Sequence, residues 1–190
     1  GRVELGDSSD LPFSIRPGLK TERWQKDRYA ANLGTLGTSI IGASMIMQRK
    51  LAEQVGLFDE RFGAGSYFNG GEEVDYIYRT YLKGFLVEFC PDLLVHHFHG
   101  RKTQKSARSL VLSYDFADGA LCAKFLFKNP QLLRQLYWDF RKSIFEILGG
   151  PLSRPELNIS HRTRIATVMK GMGFYYILAL KEKLKFFRAK

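Results

Sequence analysis

Apolar and polar residues alternate along this chain in distinct rhythms, and each rhythm predicts a different element. From Gly1 to about Leu33 no period holds, because polar residues dominate and Pro12, Pro17 and Gly18 interrupt, so a loop-rich start is expected. Leu36 to Met47 is an apolar run with small residues interspersed, the pattern of a buried strand approached closely by other backbone. Arg49 to Val55 predicts a short helix closed by Gly56. The run from Gly63 to Gly71, rich in glycine, predicts a mobile loop. Val74, Ile77, Tyr78 and Tyr81 then recur on one helical face, which predicts a helix over Glu72 to Lys83 stopped by Gly84. Within it Asp75 and Arg79 stand one turn apart and can pair, and the acids of the first turn suit the positive end of the helix dipole. Phe85 to Cys90 and Leu93 to His99 predict two strands around a turn at Pro91-Asp92. Alternation puts His97 and His99 on one strand face with Leu93 and Val95, and His96 on the other with Leu94 and Phe98.

Beyond Gly100 the pattern turns helical. Asn129-Pro130 marks a helix start, and Leu132, Leu136, Phe140 and Ile144 mark its expected buried stripe, ending before Gly149-Gly150. A last helix is predicted from about His161 to Arg188, apolar in its middle and basic towards its end. This divides the chain into residues 1–105 and a basic helical region, 106–190.

Charge sharpens the division. Residues 1–100 carry net −2 and residues 101–190 net +12, so a partner attracted by positive charge meets the second half. A composition of 45% hydrophobic and 25% charged residues excludes global disorder. No stretch has the roughly 18 consecutive apolar residues of a membrane span. Gly1, with no starting Met or signal-peptide pattern, reads as a cut end. Cys90 and Cys122 both sit in apolar surroundings, which argues against a disulfide scaffold and for a reducing compartment.

The chemistry-bearing stretch is Phe58 to Arg101: a glycine loop, clustered carboxylates at a helix start, then strands ending in histidines. Carboxylates there either serve the helix dipole or act as acid and base, and the histidines are either hydrogen-bonded core residues or metal ligands. The order Gly42-Ala43-Ser44, Arg49, Val55-Gly56-Leu57-Phe58-Asp59-Glu60, the glycine loop, Glu72-Glu73-Val74-Asp75, Arg79, Gly84, Pro91 and Val95-His96-His97 resembles glycosyltransferase family 2 over about residues 36–101. The resemblance implies an α/β fold: the second, acceptor-side half of a GT-A nucleotide-sugar transferase fold, followed here by a basic α-helical C-terminal region. It implies an inverting glycosyltransferase, of hexosyl- or rhamnosyltransferase type, that moves a sugar from a nucleotide-sugar donor to a saccharide or lipid-linked acceptor.

In that family a carboxylate of the acidic pair takes the acceptor proton. Its position falls on Glu73, where a Glu replaces the family's Asp, while Glu72, Asp75, Gly71, Gly70, Asn69 and Phe68 fall at acceptor-binding positions. Ser44 and Arg101 fall on the donor side. A divalent metal, Mn or Mg, is implied, with His97 as ligand and His99 as fallback on the same strand face. The family's Asp-x-Asp is absent from this chain, so an N-terminal nucleotide-binding half is expected elsewhere, and the chain alone is expected to lack most of the donor site. Gln131-Leu132-Leu133-Arg134 lacks the following Trp of processive members, which implies a non-processive enzyme. These expectations place the protein in polysaccharide biosynthesis at the cell envelope, cytoplasmic or peripheral on the inner membrane face, with its basic tail either on an anionic membrane or packed on the domain. The rival readings are a non-catalytic basic module docking on membrane or nucleic acid, and an inactive remnant of such an enzyme. No nucleic-acid-binding motif is present, so nucleic acid is not an expected partner.

Overall fold

The computed structural model describes residues 1–13, 15–16, 18–26, 36–37 and 40–188. They mix helix and strand and form two compact units, Gly1–Gly63 with Gly71–Ala107, and Ala64–Gly70 with Arg108–Lys190. The main crossing point lies two residues beyond the expected division at 105, and the glycine loop joins the second unit.

In the first unit, β1 (Arg2–Leu5) runs parallel to β4 (Leu94–His97), pairing Val3 with Val95 and Leu5 with His97. Strand β2 (Glu22–Trp24) lies antiparallel to β3 (Val87–Phe89). Two short helices, α1 (Arg49–Val55) and α2 (Glu72–Leu82), pack on each other. Helix α2 forms where its periodicity predicts it, burying Val74, Ile77, Tyr78 and Tyr81. It stops because Gly84, at φ +84°, takes a left-handed conformation while its N–H bonds the Tyr81 carbonyl at 2.9 Å. Strand β4 alternates as expected over Leu94–Phe98, with Val95 and His97 half-buried and Leu94, His96 and Phe98 exposed, but Leu93, expected on the Val95 face, precedes the strand and is exposed.

Two further expectations for this unit are corrected. The loop-rich start contains β1 and β2, strands of four and three residues: Arg2-Val3-Glu4-Leu5 alternates polar and apolar over too short a span to mark a strand, and Glu22-Arg23-Trp24 does not alternate at all. The strand expected over Leu36–Met47 is instead helical at Leu36 and Gly37 and turns through a 3-10 helix at Gly42–Ser44, with residues 38 and 39 outside the described ones. Small side chains at Gly42-Ala43-Ser44 permit the tight turn, and Ile46 beyond it is exposed.

The second unit is helical: α3 (Gln104–Phe125, from Arg108 on), α4 (Leu132–Ile147) and α5 (His161–Arg188). Thr103 caps α3 by accepting the Ser106 N–H at 3.2 Å, and Ser160 caps α5 by accepting the Thr163 N–H at 2.9 Å. Helices α3 and α5 touch backbone to backbone, because a Cβ on Gly119 would overlap the Val168 carbonyl and one on Gly171 the Phe116 carbonyl. Arg164 of α5 reaches Asp115 of α3 at 3.2 Å and also pairs with Asp139 of α4.

Two expectations for this unit are also corrected. Helix α4 buries Leu132 with the polar Asp139 and Ser143, and leaves Phe140 and Ile144 of the expected stripe exposed. A half-buried guanidinium needs carboxylate partners more than a phenyl ring needs cover, and this decides the rotation. The glycine loop is pinned rather than mobile: Phe68 is fully buried, its ring 5.8 Å from those of Phe116 and Phe174, and Asn69 accepts the Gly65 N–H at 3.0 Å.

The glycine contacts yield a paired expectation. Gly171→Ala forces α3 and α5 apart and lowers the unfolding free energy by about 1–3 kcal/mol. Gly173→Ala, two residues on in open space, leaves stability unchanged or raises it by up to about 1 kcal/mol through helix propensity. Denaturant unfolding of the two variants separates the effects.

Candidate functional site

The first turn of α2 carries Glu72, Glu73 and Asp75, and its helix begins at Gly71, which takes φ +81°. Unpaired N–H groups and the dipole there favour negative charge. The three acids nonetheless meet different surroundings. Glu73 is half-buried against the Gly42–Ser44 turn, where a Cβ on Gly42 would lie 3.5 Å from the Glu73 Cβ. Burial pushes the Glu73 carboxyl up to about 6, and the neighbouring Glu72 charge adds to the rise. Backbone N–H groups of Glu73 and Gly42 bond the carboxylate and hold the rise in check. Glu72 and Glu73 also share a side-chain hydrogen bond, which adds to the rise at Glu73. The second oxygen of Glu72, Oε2, is buried with no hydrogen-bond partner among the described residues, and it lies beside Gly63.

Asp75 is placed differently from the acceptor-contact position expected of it. It is fully buried and takes the Arg79 Nε at 2.8 Å. Arg79 in turn donates to the Val55 carbonyl at 3.0 Å and the Leu57 carbonyl at 2.9 Å, satisfying backbone oxygens at and beyond the end of α1. Asp75 is thus a strut between the helices. Of the other acceptor-side residues, Gly71 stays in the first unit with Glu72 and Glu73. Phe68, Asn69 and Gly70 belong to the second unit, where Phe68 is an aromatic anchor and not a surface for a sugar ring, while Tyr67 and Asn69 are exposed.

At the end of β4 the two candidate ligands separate. His97 is half-buried, its pKa lowered by burial first and then by His99 and Arg101, which favours the neutral imidazole a metal needs. The His99 side chain is almost wholly buried and both its ring nitrogens are engaged: Nε2 lies 3.0 Å from the Leu11 carbonyl, and Nδ1 accepts the Arg101 N–H at 3.1 Å. That pattern fixes the Nε2–H tautomer and corrects the fallback assignment, since no lone pair of His99 is left for a cation. Among the described residues no three His, Cys, Asp or Glu side chains converge on one point. The residues present therefore do not make a metal-holding set around His97. Arg101 remains half-buried beside His97. Ser44 is buried and lines an apolar cavity of about 420 Å³ with Met45, Tyr76 and Leu86, a cavity that neither Glu72 nor Glu73 lines.

Asp10 is the residue that sequence reasoning missed. It is buried, lies 3.6 Å from His99 Nδ1, and its Oδ2 accepts the Gly100 N–H at 3.0 Å. Its partners lie some ninety positions away, beyond any local pattern, and only knowledge that β1 pairs with β4 finds it.

The raised Glu73 pKa carries a stability consequence with a definite sign. The folded protein holds the proton in the window from the ordinary Glu value up to about 6, so this group's stabilisation is complete below that window and lost as pH rises through about 6. Glu73→Gln is expected to match the parent near pH 4 and to exceed it by about 1–2 kcal/mol near pH 8, as read by denaturant unfolding at the two pH values.

Comparison of the chain with protein-family models, with curated proteins and with solved structures returns no match, so the geometry above carries the functional reading.

Proposed function

We propose that this chain is the acceptor-side half of an inverting glycosyltransferase of the GT-A, family 2 kind. The observation that carries the reading is the carboxyl pair at the start of α2. Glu73 is pushed up to about 6 by burial, and Glu72 beside it keeps a buried oxygen without a hydrogen-bond partner among the described residues. A base whose pKa lies just below neutral is both ionised at working pH and basic enough to take a proton. A carboxyl raised by burial beside a second carboxyl is the arrangement that acid–base sites use to hold a base near its working pH.

In the proposed reaction an acceptor hydroxyl lies against Glu73. As its oxygen attacks the anomeric carbon of a nucleotide-linked sugar, the carboxylate takes the proton. The bond from that carbon to the diphosphate breaks in the same displacement, and the nucleoside diphosphate leaves with the electron pair, so the configuration inverts. The Glu72 Oε2 supplies an acceptor for a second hydroxyl, which orients the incoming saccharide or lipid-linked saccharide. Arg101 supplies positive charge for the departing diphosphate. His97 offers one imidazole, and since the described residues do not complete a set of three ligands with it, no step of this scheme runs through Mn or Mg. The donor, with its nucleotide half of the site, is assigned to sequence other than this chain.

The test is a pH–rate profile of sugar transfer by the enzyme carrying this chain. Rate is expected to rise through about pH 6 and level above it. Glu73→Gln is expected to lower transfer by about 10²–10⁴-fold with nucleotide binding intact. Undiminished transfer in that variant removes Glu73 from the chemistry.

A further inference from the structure

Helix α4 is built inside out. Its acids, Asp139 and Glu146, turn towards the protein: Asp139 pairs with Arg164, and the Glu146 carboxylate accepts the His161 N–H. Leu133, Tyr137, Phe140, Ile144 and Leu148 recur at helical spacing on the opposite side, each 46% to 78% exposed. Trp138 and Phe145 form a second exposed line beside them. The charged residues on this outward side are Arg134, Arg141 and Lys142, all exposed and all positive, with the Arg141 guanidinium 5.1 Å over the Trp138 ring.

A water-facing helix has the reverse arrangement, with its apolar stripe on the core and mixed charges outside. A continuous exposed apolar face of this kind marks a contact surface. The charges decide which contact. In a self-complementary pairing of two copies, Arg134, Arg141 and Lys142 would meet the same cations with no acid on the helix left to answer them. A bilayer with anionic headgroups satisfies both parts at once. Its acyl boundary takes the apolar line, its phosphates take the cations, and Trp and Tyr are the residues that favour the headgroup level. The helix is 16 residues long, about 24 Å, too short to cross the hydrocarbon core, so it lies in the plane of the surface. The net charge of +12 on residues 101–190 attracts that half of the chain to such a surface.

We propose that the outward face of α4 docks this protein, in plane, on an anionic lipid bilayer. The assignment is independent of the glycosyltransferase reading and differs from the expected contact by the basic tail. At the end of α5, Ile177, Leu180, Leu184 and Phe187 are also exposed at helical spacing, but the acid Glu182 stands among the lysines there and no Trp or Tyr lies in residues 180–188.

Co-flotation of the full chain with vesicles tests it, comparing equal parts phosphatidylglycerol and phosphatidylcholine with phosphatidylcholine alone. The chain is expected to float with the anionic vesicles and not with the neutral ones, and to be released by salt. Phe140→Ser with Ile144→Ser is expected to abolish flotation. Replacing Arg134, Arg141 and Lys142 by Gln lowers the partition coefficient by about 100-fold, at roughly fivefold per cation. All five positions are exposed, so both variants keep the parent circular dichroism and Tm, and Leu180→Ser with Leu184→Ser keeps the parent flotation. Three results overturn the proposal: no binding by the parent, parent-like binding by the Phe140→Ser, Ile144→Ser variant, or an oligomer in sedimentation that this variant disperses while vesicle binding is absent.

Discussion

Arg164 is the charge around which the helical unit is arranged. A guanidinium cannot be neutralised in a protein, so a half-buried one must be met by carboxylates or left at a cost of several kcal/mol. Asp115 on α3 and Asp139 on α4 meet it, which makes one side chain of α5 the junction of the three helices. Burial raises the Asp115 pKa despite the attraction of Arg164, the signature of a carboxylate taken from water in order to serve a partner. Because Asp139 must point inwards, the rest of α4 is rotated with it, and Phe140 and Ile144 turn outwards. The apolar outer face of α4 is thus the consequence of an electrostatic demand inside the unit.

The first unit shows the same logic at smaller scale. Arg79 pairs with Asp75 and spends its remaining donors on the carbonyls of Val55 and Leu57, so one residue both closes α1 and ties it to α2. With α2 held in that way, its first turn meets the Gly42–Ser44 turn at a fixed place, and the Glu73 side chain lies against Gly42. The site's geometry therefore depends on a strut anchored at Asp75 of the same helix, and on the turn of another segment packed against it.

What was legible in the sequence follows from how local each signal is. Helix α5 has the bounds its periodicity predicts, and α1 and α2 end at Gly56 and Gly84, because periodicity and glycine stops act within a few residues. The alternation of Val95, His96 and His97 was legible for the same reason. Strands β1 and β2 were not, since Glu4, Glu22 and Arg23 stand among so few residues that pairing with a distant strand, and not local pattern, makes them strands. Phe68 was misread because an aromatic in a glycine-rich loop looks exposed until Phe116 and Phe174 enclose it. The carboxyl pair was visible as residues, but the difference between its members and Asp75 was not.

That difference is where structure adds most to the reading of the site. Glu73 and Asp75 stand two residues apart at one helix end, under the same dipole. Asp75, though wholly buried, has a guanidinium on one oxygen, so its charge is a contribution to the fold. Glu73 has two backbone N–H groups, a neighbouring carboxyl and partial burial, and the balance leaves its charged form disfavoured until pH passes about 6. Stability alone favours an uncharged side chain at that position near neutral pH, whereas proton transfer requires a carboxylate held short of full comfort. Two acids of one short motif are thus separated into strut and base by the partners that folding brings to each, and motif matching cannot make that separation.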